Sequence, residues 1–221
     1  MPRYLTTKEI SAHVKEVFAH PVEEPAWYWK SGWESPSINP RQSVTFLTEL
    51  YSKSAVHLAP YSDAQINQGL WYLVSPGSSP YIEGLLSDAV DWPERLLCIQ
   101  AISKLFDDIF NKRCLPQLSH RNTNGDLAQQ SPLNLMCYMF WDLIPFGDDR
   151  RIQAAYLDEM EKIIWQDNVA CQESALHGLS HSLVDYPDRV RSIIDQFLDA
   201  PTWRREDVKE YARNAREGAV L

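Results

Sequence analysis

The sequence predicts an all-α fold for its 221 residues. Three observations carry that expectation. Apolar residues recur at three- and four-residue spacing along most of the chain, and hardly any stretch shows the alternation of a strand. Capping residues and prolines stand at the starts of these segments. Glycine is scarce, at 8 residues against 14 prolines, as expected where helices meet at Pro-marked turns that need few residues at positive φ.

The elements follow in chain order. Thr6-Thr7-Lys8-Glu9 is a capping box, in which the Thr oxygen takes a free backbone N–H and the Glu reaches back to the cap. It opens a helix that should end before Pro21. Residues 22–40 form a Pro-bearing aromatic loop with Trp27, Tyr28, Trp29 and Trp33, and a helix from about Arg41 to Leu58 comes next. Ser62-Asp63-Ala64-Gln65 repeats the capping device ahead of Ile66, Leu70, Leu73 and Val74. The strongest helical signal starts at Trp92-Pro93-Glu94: Cys98, Ile102, Leu105, Phe106 and Ile109 take one side, while Lys104, Asp107, Asp108 and Lys112 take the other. That helix should reach about Arg113.

Residues 115–132 read as a long polar loop with its turn at Asn124-Gly125, and loops of this length are commonly functional or mobile. Helical hairpins fill 133–216. They run from Leu133 to Ile144, from Asp148 to Trp165, from the Asn168 cap to near Val184, from Tyr186-Pro187-Asp188 to Ala200, and from a Thr202 cap to about Arg216. The whole of 1–221 is expected to be a single domain.

Composition narrows the function. A net charge of −9 argues against nucleic acid as a partner, because phosphate binding needs clustered Lys and Arg. Residues 141–200 carry 12 acidic and 5 basic side chains, so they hold −7 of that charge. Glycine-rich nucleotide-binding strings and a GxSxG elbow are lacking. The first ten residues, MPRYLTTKEI, lack the apolar core of a signal peptide, and no stretch is apolar enough for a spanning helix. Cys98, Cys114, Cys137 and Cys171 form no CxxC pair and are expected as reduced, packed thiols. A cytoplasmic protein with no membrane partner follows as the expectation.

A weak internal repeat runs through the hairpins. A shift of 40 places Met136, Met139 and Leu143 on Leu176, Leu179 and Leu183, and Arg151 on Arg191. A shift of 34 places Ile102, Leu105, Phe106 and Ile109 on Met136, Met139, Phe140 and Leu143. With Asp185, Pro187, Val190 and Arg191 at turn and second-helix positions, residues 92–200 resemble a HEAT or armadillo-type array. The resemblance implies stacked antiparallel helical hairpins, a HEAT-like α-solenoid, without a constant period. The strings CQESALHGLSH (171–181) and LNLMCYMFWD (133–142) also resemble those of uncharacterised bacterial all-helical proteins, from which no activity carries over.

Two groups of residues can carry chemistry or recognition. Glu173, His177 and His181 fall at i, i+4 and i+8 of one helix and make one stripe. HxxxH spacing suits a shared metal ion, with Glu173 as a third ligand, but Gly178 stands where a zinc protease has its basic Glu. Asp142, or Asp107 and Asp108, could complete a carboxylate–His site from a neighbouring helix, and His120 could reach it from the loop. The plainer alternative is a polar helix flank with an ordinary Glu–His contact. Trp27, Tyr28, Trp29 and Trp33 offer either a partner-binding platform or a cap over the first end of the helical stack.

The reading favoured from sequence is a helical-repeat module that binds protein. Its acidic stretch suggests an inhibitor or immunity-type protein for a basic partner such as a nuclease, with no cofactor. The alternative is an enzyme using the Glu173, His177 and His181 stripe, with or without a divalent metal.

Overall fold

A computed structural model of the chain describes residues 4–121, 131–200 and 205–220, and those residues fold as helices with no strand among them. The expected Asn124-Gly125 turn and Thr202 cap lie outside the described residues. No helix among them is long and apolar enough to cross a membrane.

Local capping sets most of the starts. Helix α1 (Thr7–Phe18) opens on Thr6, whose side chain accepts from the Glu9 N–H while Glu9 accepts from the Thr6 N–H. Helix α2 (Pro40–Ser52) has the same device at Asn39 and Gln42. It stops short of the expected Leu58, because Lys53 leaves helical geometry and a separate turn, α3 (Ser54–His57), follows. Ser62 and Gln65 cap α4 (Asp63–Val74).

The expected helix over 92–113 is a broken rod. It comprises α5 (Trp92–Gln100), α6 (Ile102–Leu105), a π turn over Phe106–Phe110 and α7 (Asn111–Arg113). A π turn takes an extra residue, which rotates the side chains that follow. Asp108 is buried here, and Lys104 and Lys112 donate to its carboxylate at 2.8 and 3.0 Å. Those lysines hold its pKa below the usual carboxylate range against the cost of burial.

The remaining helices are α8 (Pro132–Leu143), α9 (Arg150–Ile163), α10 (Val169–His181), α11 (Pro187–Asp199) and α12 (Glu206–Arg216). Asp149 caps α9 through the Arg151 N–H, and Asn168 caps α10 through the Ala170 N–H. In packing, α1, α4, α8, α10 and α12 each lie against the next, while α2 meets α5, and α5 and α6 meet α9.

Helix α10 is the hub, with α8, α9, α11 and α12 around it. Every residue from Val169 to Ser180 is buried, so a helix with polar side chains on one flank has no free flank. The polar-flank expectation for Glu173 and His177 is therefore corrected: α12 covers the side that the apolar periodicity leaves bare. Gly178 makes the close packing feasible. A Cβ there would lie 2.7 Å from Trp141 Cγ and 2.9 Å from Met160 Sδ.

At the other end the aromatic loop packs on α4. Trp27 is buried between the rings of His20 at 4.0 Å, Trp33 at 4.3 Å and Tyr72 at 4.7 Å.

Candidate metal centre

Asp142, His177 and His181 bring three donor atoms to one point. HxxxH spacing on α10 puts both imidazoles on one side, one turn apart. Asp142 comes from α8, directly after the Trp141 that rests on Gly178. His177 Nε2 lies 3.0 Å from Asp142 Oδ2, His181 Nε2 lies 3.3 Å from Asp142 Oδ1, and the two Nε2 atoms are 3.1 Å apart.

Protons alone satisfy such a triangle poorly. A carboxylate only accepts: if both rings turn an N–H to Asp142, those two N–H groups crowd each other, and if one ring donates to the other's Nε2 instead, one imidazole–Asp142 contact is left without a hydrogen. A cation at the common point removes the conflict. Ligand bonds of about 2.0–2.2 Å put neighbouring donors roughly 2.8–3.6 Å apart, the spacing seen here.

Behind His177 the support is ordered. Its Nδ1 is 3.1 Å from the Tyr211 hydroxyl on α12, and its ring packs on Tyr138 at 4.3 Å. The Tyr138 and Tyr211 hydroxyls share a hydrogen bond. Burial pushes the Tyr211 hydroxyl far above the ordinary tyrosine range, with Tyr138 and the charges of Glu173 and Asp142 adding to it, so it remains protonated. With an ion at Nε2, Nδ1 carries the proton and donates it to Tyr211, which fixes tautomer and ring orientation.

Glu173 serves a different end. Wholly buried, it accepts from the Ser119 N–H at 2.6 Å, the His120 N–H at 3.0 Å and His120 Nδ1 at 2.6 Å. The His120 ring stacks on Tyr211 at 4.5 Å. Glu173 thus anchors the start of the 115–132 segment to the hub, and the close donor cluster is Asp142, His177 and His181 without it. The expected Glu173–His177 contact is replaced by Glu173–His120. Asp107 and Asp108 take no part either, because both face lysines of their own rod.

The triangle has an open side. His177 is 2% exposed at the side chain, whereas Asp142 is 24% and His181 52% exposed. Those two line a cleft of about 760 Å³ whose other walls include Trp141, Ile144, Phe146 and Tyr186. Three protein ligands with positions left for water or substrate are the pattern of a catalytic rather than a structural metal site.

Of the sequence candidates, His120, Asp142, Glu173, His177 and His181 belong to one connected network. The aromatic candidates lie elsewhere: Trp27 is buried, Tyr28 and Trp33 are half-buried, and Trp29 is exposed. Tyr211 and Tyr138 were not anticipated. Tyr138 sits four residues before Asp142 on α8, the one local hint available. Compared with known family models, curated proteins and solved structures, the chain has no match.

Proposed function

We propose that the protein is a metal-dependent enzyme whose ion sits between Asp142, His177 and His181, and that it hydrolyses a ligand held in the adjoining cleft. The observation that supports this most is the convergence of three donors from two helices within 3.3 Å, with two of them open to the cleft. Asp142, His177 and His181 would hold the ion, which would supply polarisation of a bound water and of the bond under attack. Tyr211 and Tyr138 hold His177, and Asp142 supplies the negative charge that offsets the cation. Among the described residues no Lys or Arg lines the cleft, while Asp142 and Asp185 do, and nearby Arg150 is engaged by Asp185 and the Tyr186 ring. An ester or amide with apolar substituents suits those walls better than a phosphate.

Metal content by mass spectrometry, after chelation and reloading with Zn²⁺, Mn²⁺ or Fe²⁺, tests the reading. One ion per chain is expected, lost in His177→Ala, His181→Ala and Asp142→Asn proteins that keep their helical circular dichroism. Wild-type protein that takes up no ion, or variants that bind as well as wild type, would overturn the site. Metal uptake without turnover of any ester or amide in a broad panel would overturn the hydrolytic part alone.

A second reading rests on the packing order of the helices. The succession α1, α4, α8, α10, α12 beside α2, α5 and α9 supports a degenerate HEAT-like array. Such an array, with its acidic 141–200 stretch, would bind a basic protein partner. Salt-sensitive capture of one defined basic protein from the native host supports this reading, and recovery of no specific partner at low or moderate salt opposes it.

A further inference from the structure

The aromatic loop divides into two halves. Trp27 and Trp33 turn into the packing around Tyr72, while Tyr28 and Trp29 line a second cleft of about 430 Å³. Trp71, Gln68 and Glu24 are also among its walls. It lies by α4, outside the Asp142–His177–His181 centre.

Tyr28 rests on Trp27 at 5.1 Å and on Tyr72 at 5.3 Å, whereas the other two rings of this cleft have fewer ring neighbours. Trp29 is 60% exposed and meets one ring, that of Tyr28, at 5.5 Å and 59°. Half-buried Trp71 meets no other ring among the described residues. Trp92 on α5 shows the contrast, since Arg151 and Arg95 sit over it at 4.8 and 5.7 Å. No described cation of the chain does this for Tyr28, Trp29 or Trp71. Glu24 forms no ion pair among the described residues, although the neighbouring Glu23 is bound by Lys30. Its charge adds to burial in raising the Tyr28 hydroxyl pKa. Gln68 is 8% exposed and forms no side-chain hydrogen bond among the described residues, and beside it at the cleft wall the Asn67 Oδ1 is buried without a hydrogen-bond partner among them.

We propose that this cleft binds a methylated ammonium ion, either the trimethylammonium head of a choline-type metabolite or a trimethyllysine side chain. Ring faces attract a cation through their quadrupole, most strongly for Trp. A primary ammonium needs several acceptors to replace its water, and among the described lining residues Glu24 is the one charged acceptor, with the neutral amides of Asn67 and Gln68 beside it. The methyl groups of a quaternary ammonium instead lie against rings while Glu24 balances the charge. Gln68 is placed to meet a polar group carried beside the head.

The test titrates the full-length protein with choline and with a trimethyllysine peptide, following the N-methyl proton resonances. Saturable binding with an upfield ring-current shift is expected. The neutral carbon isostere 3,3-dimethylbutanol is expected to bind at least tenfold more weakly. Trp29→Ala, a change at an exposed ring, should weaken binding by about tenfold, and Glu24→Gln by roughly threefold, in line with cation–π and ion-pair contributions at partly exposed sites. Tighter binding of choline assigns the site to a metabolite, and tighter binding of the peptide assigns it to a modified protein. No saturable shift with either probe, equal binding of the isostere, or unchanged affinity in Trp29→Ala would overturn the proposal.

Discussion

Replacing Gly178 by Ala probes how the two helices that build the centre are held together. The added Cβ would meet Trp141 Cγ at 2.7 Å, Trp141 Cβ at 2.8 Å and Met160 Sδ at 2.9 Å. Ordinary contact needs about 3.5–4.0 Å, so α8 and α9 must withdraw by roughly 0.7–1 Å. Overpacking of this kind costs about 1–3 kcal/mol, against which alanine's better helix propensity returns about 1 kcal/mol. The net expectation is a loss of about 0–2 kcal/mol, or up to roughly 8 °C in Tm for a chain of this length. Asp142 follows Trp141 directly and would move with it, and a metal centre tolerates only about 0.2 Å in its ligand distances. Zn²⁺ affinity by competition with a chromophoric chelator should therefore fall by at least tenfold, alongside a lower midpoint in urea. If the variant is instead more stable by the propensity gain and binds metal as wild type does, the argued close approach of α8 to α10 is wrong.

Other expectations follow from single contacts. Tyr211→Phe removes the partner of His177 Nδ1 and should weaken metal binding by about 10–100-fold, measured by the same competition, while the fold is retained. Glu173→Gln leaves the Ser119 and His120 donors imperfectly paired; a loss of about 1–3 kcal/mol in urea is expected, with faster hydrogen exchange at the amides of 119 and 120. Asp149 is held down to about 2 by Arg151, through its side chain and its backbone N–H, with a further contribution from Arg95. Because the folded value lies below the ordinary 3.8, its contribution is present above that pH and is lost as pH falls from 3.8 towards about 2; an acid titration of Asp149→Asn should lack this component. All four thiols are buried, and burial pushes Cys98 up to about 12, so a thiol reagent should modify them only after denaturant is added; rapid reaction of the native protein would contradict their packing.

Features set by neighbours in sequence were legible before the structure. Thr6, Ser62 and Asn168 cap helices through bonds that span two or three residues, and each does so where the local pattern indicates. Lys53 and the π turn at Phe106–Phe110 were not legible, because the local periodicity there is helical and packing decides where it breaks. The candidate site divides in the same way. His177 and His181 share a face by spacing alone. Choosing Asp142 over Asp107 and Asp108 requires knowing that α8, not the rod, presents its aspartate to the α10 histidines. Tyr211 lies 34 residues beyond His177 on another helix, and no pattern within either helix pairs them.

The burial of α10 on all sides bears on how the molecule would open. Opening free energies vary along a chain, and segments with dense apolar contact and shielded backbone hydrogen bonds are the last to yield. His177 belongs to that most resistant segment and His181 stands at its exposed end, whereas Trp29 and Glu24 stand on an exposed loop by the first helices. Fluctuations of the loop that carries Trp29 and Glu24 can thus proceed while α10 keeps its place. The two clefts share α8 as a wall, and they differ in the wall opposite: buried α10 stands behind one, and an exposed loop that can breathe closes the other.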